Sequence, residues 1–243
     1  MKKDILHNLE NLLKRSLIQL KGATLEKIIT SYINETNQHY LSIGVNHYLE
    51  DEESIELNKL KKNPELKQFF QKAIEFKFNE NQIIEKFKLN IQNAFAEIKV
   101  KDQSEQKVIR LQAIFLEYDL LPTASIYGYG KGDYLLLKKP KYLGFYPKDE
   151  IFISIEKIDY STVWKNLISF NNTIEQYGID DYIFESDIYL ALKDAYIFKT
   201  YILLHKAFDG LGNKIFDGIE IEKPLMIYGS EHDCEAINIY MFE

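Results

Sequence analysis

The 243-residue sequence has one cysteine, two arginines and no long uninterrupted hydrophobic run. With Cys234 alone, the chain can form neither an intrachain disulfide nor a four-thiolate metal site, which suits a reducing compartment. With only Arg15 and Arg110, it has little capacity for bidentate contacts to phosphates or guanine, which argues against nucleic-acid binding. No segment reaches the roughly 20 apolar residues of a membrane span, and charges interrupt the N-terminal segment where a secretory signal needs an apolar core. We therefore expect a cytoplasmic protein.

Hydrophobic residues make up 46% of the chain, enough to build a full core. In several segments they recur at steps of three and four, as in amphipathic helices. The first predicted helices are Ile5 to Leu20, Leu25 to Ile33 with Thr24 as its cap, one that begins at Asn63-Pro64, and Ile84 to Ile98. Two more follow: one that Asp159 or Ser161 caps and that continues past Trp164 to Ile174, and a long one from Ser186 to about Asp209.

Alternating or continuous apolar runs between these helices predict strands. They are His39 to Tyr48, Leu111 to Tyr118, Thr123 to Tyr129, Tyr134 to Leu137, Ile151 to Ile158, Pro224 to Tyr228 and Glu235 to Phe242. The glycines from Gly128 to Gly132 lack the spacing of a phosphate-binding loop and predict a hairpin turn. We expect an α+β protein with helices packed on a mainly antiparallel sheet, a helical N-terminal region and a strand-rich middle. It forms a single domain over 1–243 or two tightly joined lobes, 1–103 and 104–243.

The densest cluster of chemically active side chains is Glu231, His232 and Asp233, which His205 could join from the preceding helix. Carboxylates and imidazoles together can bind a divalent metal or perform acid–base chemistry. Adjacent residues of a strand or turn cannot all point to one metal, so the cluster could equally be a polar turn. Since no cofactor motif accompanies it, we predict no bound cofactor.

The C-terminal third is acidic, because residues 166–243 hold 14 carboxylates and five lysines. A stretch without basic residues contains Asp180, Asp181, Glu185 and Asp187, interleaved with Tyr182 and other aromatic residues. Carboxylates beside exposed rings suit the capture of a cationic protein, since charge steers the encounter and rings supply contact area. The other interpretation is that the charge maintains solubility and the rings belong to the core.

Three segments carry a resemblance to known proteins. They are the Tyr40-Leu41-Ser42-Ile43 strand after an N-terminal helix, the helix end Leu203-Leu204-His205-Lys206-Ala207-Phe208, and the closing run from Pro224 to Asp233. Their order resembles that in small bacterial proteins of unassigned function, some of which are similar to immunity proteins encoded beside secreted polymorphic toxins. The resemblance implies a bacterial protein that neutralises a toxin.

These observations lead to a main hypothesis and two alternatives. The main hypothesis is a non-catalytic cytoplasmic protein that binds a cationic toxin or enzyme domain through Asp180, Asp181, Tyr182, Glu185 and Asp187. The first alternative is a metal-assisted hydrolase that uses His205, Glu231, His232 and Asp233. The second is a structural, oligomeric housekeeping protein. The sequence itself leaves the oligomeric state open.

Overall fold

The computed structural model describes residues 1–44, 57–105, 110–119, 122–142, 150–232 and 234–243. These residues form two compact units, each assembled from separate stretches of the chain. Unit 1 comprises Met1–Asn11, Asn79–Val163 and Phe198–Glu243, and unit 2 comprises Leu12–Phe78 and Trp164–Ile197. The predicted α+β class is confirmed by seven α-helices and a six-stranded sheet within the described residues. A single domain over the whole chain stays a prediction.

The helices begin where side chains satisfy their first backbone N–H groups. The Asn63 side chain accepts hydrogen bonds from the N–H groups of Glu65 and Leu66, Thr24 caps the second helix, and Ser186 accepts from the N–H of Tyr189. The predicted caps at Thr24 and Asn63 are confirmed, and Ser186 lies at the start of the long helix, as predicted. The helices are α1 (Lys2–Gln19), α2 (Leu25–Ser42), α3 (Pro64–Ile74), α4 (Glu80–Glu105), α5 (Ser161–Gln176), α6 (Asp180–Phe184) and α7 (Asp187–Leu211), which a 3₁₀ helix (Gly212–Phe216) follows.

The sheet belongs to unit 1 and has the strand order β3-β2-β1-β5-β6, with β4 paired to β2. The strands are β1 (Arg110–Tyr118), β2 (Thr123–Tyr129), β3 (Glu150–Ile153), β4 (Ile158–Asp159), β5 (Glu220–Glu231) and β6 (Ile237–Phe242). All pairs are antiparallel except β1 and β5, which run parallel. The sheet is therefore mainly antiparallel, as predicted, but β5, from the C-terminal part of the chain, lies inside it between β1 and β6.

One face of the sheet forms the core of unit 1. Phe208 of α7 stacks on Tyr240 with ring centroids 6.0 Å apart, and Phe95 of α4 meets Phe216 edge-on at 5.1 Å. Tyr240 and Phe208 are fully buried. Since each buried aromatic side chain removes a large apolar area from water, this layer contributes to the hydrophobic stabilisation of unit 1.

Unit 2 packs helix against helix. Phe70 of α3 lies 5.3 Å from Phe170 of α5, measured between ring centroids. Tyr196 of α7 contacts the ring of Phe76 at 4.7 Å, and its hydroxyl donates a hydrogen bond of 2.8 Å to the carbonyl of Ala73. The phenol thereby supplies a hydrogen-bond donor to a carbonyl group in the last turn of α3, where the helix itself offers none.

The strand predicted from His39 to Tyr48 is wrong at its start, because α2 continues through Ser42. Nothing in this segment stops a helix that is already propagating, until Gly44 adopts a positive φ of 72° and donates its N–H to the carbonyl of Leu41. The alternating residues Leu41 and Ile43 are exposed rather than buried. Residues 45–48 lie outside the described ranges.

The hairpin predicted at Gly128–Gly132 is also wrong, since Gly128 lies within β2 and no strand forms from Tyr134 to Leu137. A Cβ on Gly128 would lie 2.0 Å from the ring of Phe152, so close packing, not a turn, requires this glycine. Side chains hold the following segment instead of a ladder. Asn238 accepts the N–H of Leu137, and the Tyr228 hydroxyl donates to the carbonyl of Leu135.

The predicted strand from Ile151 to Ile158 is divided into β3 and β4. Between them the Glu97 carboxylate of α4 accepts the backbone N–H groups of Ile155 and Glu156 at 3.0 and 3.1 Å. A side chain that takes two successive donors replaces the strand partner and bends the chain away from the sheet. Periodicity along one strand carries no information about this distant carboxylate.

An ion-pair network joins the two long helices of unit 1. The Glu80 carboxylate at the start of α4 accepts hydrogen bonds from Lys199 at 2.5 Å and from Lys206 at 2.9 Å, both on α7. Hydrogen bonds from Lys199, then from Lys206, lower the pKa of Glu80 to about 2. The folded state therefore favours the ionised carboxylate more than the unfolded chain does.

We expect Glu80→Gln to lower the free energy of unfolding by about 1 kcal/mol at pH 6, a value reduced for solvent screening because the carboxylate is 38% exposed. The folded pKa is depressed, so the contribution is present above the ordinary pKa near 4.5 and is lost as the pH falls towards 2. Urea unfolding of both proteins between pH 6 and 3 measures the difference. Glu75→Gln, at an exposed pair with Lys77, is the control. A Glu80→Gln effect independent of pH would contradict this assignment.

Candidate functional site

An aromatic row crosses the face of the sheet opposite the core of unit 1. In the strand register Tyr127 of β2 lies beside Phe115 of β1, which lies beside Tyr228 of β5. We call these three residues the aromatic row, and Ile153 of β3 extends it at the sheet edge. Phe115 stacks on Tyr228 with centroids 4.7 Å apart. Tyr127 and Phe115 are half-buried and Ile153 is 43% exposed, so solvent reaches three neighbouring strands.

A second row of polar residues runs beside the aromatic row, two positions away on each of the three strands. Glu117 of β1 lies between Ser125 of β2 and Ser230 of β5 in the register. The Nδ1 atom of His232 lies 2.5 Å from the Glu117 Oε1 atom. Since a carboxylate only accepts hydrogen bonds, Nδ1 carries the proton in this contact. The imidazole is 52% exposed and the carboxylate 24% exposed, so the pair is at the surface.

Glu117, Phe115 and Tyr127 were not among the residues that the sequence singled out. The Glu117–His232 pair joins positions 115 residues apart, and only the parallel pairing of β1 with β5 brings them together. One signal was available in β1 itself. In β1, Ile114, Leu116 and Tyr118 alternate as buried residues, so Phe115 and Glu117 lie on the other face. A face that only contacts water is usually polar, so an aromatic residue there is a signal.

His205, the predicted partner of the late cluster, is a core residue. Its side chain is buried, its Nδ1 atom lies 2.8 Å from the carbonyl oxygen of Ile239, and its ring meets Tyr240 edge-on at 4.9 Å. Burial lowers the pKa of His205 below its ordinary value, despite the opposing hydrogen bond to Ile239. The imidazole is therefore neutral at neutral pH and links α7 to β6.

Glu231, the last residue of β5, and His232, in the turn that follows, contact opposite faces of the sheet. The Tyr118 hydroxyl donates to the Glu231 carboxylate at 3.4 Å, whereas His232 contacts Glu117. Asp233 lies outside the described residues. No group of three or more His, Cys, Asp or Glu side chains suited to a metal ion occurs in the described part of the chain. His205, Glu231 and His232 are thus not brought together.

The predicted acidic surface lies in unit 2. Glu185 and Asp187 are exposed, Asp180 is half-exposed, and Glu175 at the end of α5 adds a fourth exposed carboxylate. Within the described residues none of these four side chains forms an ion pair or a hydrogen bond. We call these four residues the acidic patch. The side chains of Asp181 and Tyr182 lie outside the described part.

The aromatic residues near the acidic patch differ in exposure, since Tyr177 is 38% exposed and Phe184 is half-buried. Tyr189 is buried, stacks against Phe184 at 4.7 Å and donates its hydroxyl to Asn171. The expectation of exposed rings between the carboxylates is therefore wrong at Tyr189, which α7 turns towards the centre of unit 2, whereas Tyr177 is exposed between Glu175 and Asp180. Half-buried rings also lie beside a carboxylate in unit 1.

Comparison with protein-family models, with curated proteins and with solved structures finds no match to this chain. Among the described residues, no helix combines the length and apolar character that crossing a bilayer requires. A function must therefore be argued from the side chains themselves. They offer an acidic patch in unit 2 and an aromatic row with a carboxylate–imidazole pair in unit 1, and both arrangements are suited to binding cationic groups.

Proposed function

We propose that this chain is a non-catalytic cytoplasmic protein-binding protein that captures a cationic protein, and that it acts as an immunity protein by covering the active site of a bacterial toxin. The acidic patch carries the proposal. Some carboxylates elsewhere have cationic neighbours, as Asp159 has Lys86 at 2.6 Å and Glu80 has two lysines, whereas no basic residue occurs between Glu175 and Asp187. Four exposed carboxylates without such neighbours leave a negative field that attracts a cationic partner.

The metal-assisted hydrolase receives no comparable support. His205 is bonded to a backbone carbonyl in the core, and Glu231 and His232 face opposite sides of the sheet. A hydrolytic site needs its ligands and its general base around one reacting atom. The binding proposal requires no such convergence, because charge steers association over distances of about 10 Å at ordinary ionic strength.

We expect neutralisation of the acidic patch to slow association with the partner about tenfold at low salt. The variant carries Glu175→Gln, Asp180→Asn, Glu185→Gln and Asp187→Asn. A partner captured from the native host by the wild-type chain is purified, and its association rate is measured by surface plasmon resonance at low and high salt. The rate for the wild-type chain should fall with salt, and the difference between the two proteins should shrink.

A matched control removes the same number of charges elsewhere. Asp133→Asn, Glu156→Gln, Asp217→Asn and Glu235→Gln change four exposed carboxylates of unit 1. This protein should associate within about twofold of the wild-type rate, since only the location of the charge differs. Equal slowing in both variants would contradict a role for the acidic patch, and failure of the wild-type chain to capture any protein would contradict the binding function.

The immunity role has its own test. The captured partner should stop growth when it is produced alone in the cytoplasm, and production of the wild-type chain with it should restore growth. The patch variant should protect less well at equal protein levels, because slower association leaves free toxin. A partner that is harmless on its own would exclude toxin neutralisation while leaving protein binding intact.

A further inference from the structure

The aromatic row and Glu117 lie at a separation that a long cationic side chain can span. Phe115 and Glu117 are two residues apart on one face of β1, which places them about 7 Å apart. Lysine and arginine carry three or four methylene groups before the charged head. A stem lying over the half-buried ring of Phe115 would therefore bring its head to the Glu117 carboxylate.

The charge of this face favours a cation. Glu150 lies beside Tyr129 in the register, at the end of the face away from Glu117. Burial is the main reason that the pKa of Tyr129 is raised. The negative charges of Glu150 and Glu117 raise it further, because both carboxylates lie on this face near the ring. The faces of tyrosine and phenylalanine rings are themselves negative and attract cations within about 6 Å of the ring centre.

Arginine fits the arrangement better than lysine does. Its planar guanidinium can stack on the ring of Tyr127 or Phe115 and at the same time donate to a carboxylate, whereas an ammonium group is a compact, strongly hydrated point charge. His232 holds the Glu117 carboxylate through one oxygen, Oε1. A carboxylate has about four acceptor positions, so the other oxygen can accept from a guanidinium.

We propose that the aromatic row, Glu117 and His232 form a binding site for an arginine side chain of a partner protein. Tyr127 and Phe115 supply the stacking surface, Glu117 supplies the charge, and His232 is a positioning residue that fixes the carboxylate. The site rests on the proposed function only for the cationic nature of the partner. It lies in unit 1, so it differs from the acidic patch of unit 2.

The test uses the whole chain and the tripeptide acetyl-Gly-Arg-Gly-amide, with NMR detection of the imidazole signals of His232 and the ring signals of Tyr127. We expect both residues to shift saturably with a dissociation constant of about 1–10 mM, as one charged and stacked side chain would give. The same peptide with citrulline, which keeps the shape and removes the charge, should bind at least about fivefold more weakly.

Two substitutions locate the site, and two others are controls. Glu117→Gln removes the charge, and Tyr127→Leu removes a ring while keeping an apolar residue; each should weaken binding at least about fivefold. Glu156→Gln and Tyr142→Leu change an exposed carboxylate and an exposed tyrosine elsewhere in unit 1 and should leave binding unchanged. If Glu117→Gln does not fold, the comparison with the citrulline peptide and the Tyr127→Leu variant still test the arginine site.

Several results would overturn the proposal. These are the absence of a saturable shift at His232 and Tyr127, equal binding of the citrulline peptide, and wild-type affinity in a folded Glu117→Gln protein. Equal affinity for a lysine peptide would overturn the choice of arginine. Because the peptide experiment needs no captured partner, its failure leaves the acidic-patch prediction standing, and failure of the acidic patch leaves this one standing.

Discussion

Replacement of Phe208 by alanine should lower the free energy of unfolding by about 3–5 kcal/mol. The ring is fully buried between α7 and the sheet, with its centroid 6.0 Å from that of Tyr240 and 6.3 Å from that of Phe242. Both neighbours are aromatic and held in strand β6, so they cannot collapse into the space that the ring leaves. The loss is comparable to the whole stability of a marginal domain, commonly about 5–15 kcal/mol.

Equilibrium urea unfolding followed by far-ultraviolet circular dichroism measures this effect, because that signal reports the helices of both units. Phe208→Leu, which keeps most of the volume, should cost less than about 1.5 kcal/mol. Leu190→Ala, at a residue 46% exposed, should change stability by no more than about 0.5 kcal/mol. A loss below about 1 kcal/mol for Phe208→Ala would show that this aromatic layer is not the core of unit 1.

Features encoded by neighbouring residues could be predicted from the sequence. The caps at Thr24 and Asn63 were found because each side chain bonds an N–H group two or three residues away. Strands β1 and β2 were also found almost to the residue, because their apolar alternation reflects one buried face. Local hydrogen bonds and periodicity thus determined most of the elements.

Features that depend on distant residues could not be predicted. The parallel pairing of β1 with β5 joins Arg110 to Glu220, and no spacing within either strand indicates which neighbour it will choose. The Glu117–His232 pair follows from that pairing and was missed with it. The strand predicted at Leu41 was wrong for another reason. The short alternating pattern there follows a helix, and extending a helix that has already formed is more favourable than starting a new element.

The acidic residues of the candidate site could be predicted from the sequence, but the exposure of the rings beside them could not. Carboxylates beside rings were expected between Asp180 and Asp187, where Tyr189 is buried against the half-buried ring of Phe184. The combination also occurs at Glu117 and Phe115, on a sheet face that forms only after β5 inserts beside β1. Composition could indicate a preference for cationic partners, but tertiary packing decided which rings reach solvent.

Replacement of Gly229 by alanine should cost about 3 kcal/mol, at the upper end of the usual range for overpacking. An alanine Cβ here would lie 2.5 Å from the ring of Tyr201 and 2.6 Å from the Cδ1 atom of Ile239. Tyr201 and Ile239 are both buried, so neither can move into solvent. The backbone at Gly229 is not left-handed, and the whole effect is therefore steric.

Gly178→Ala is the matched control for urea unfolding, since an added Cβ there meets open space and only the positive φ of 63° opposes it, at a cost of about 1 kcal/mol. Gly229→Ala should cost less in a Tyr201→Leu background than in the wild-type chain, because a smaller side chain makes room for the methyl group. Gly229 lies between Tyr228 and Ser230. A displacement of β5 should therefore also weaken binding of the arginine peptide. A Gly229→Ala protein as stable as Gly178→Ala would contradict the close packing of α7 on β5.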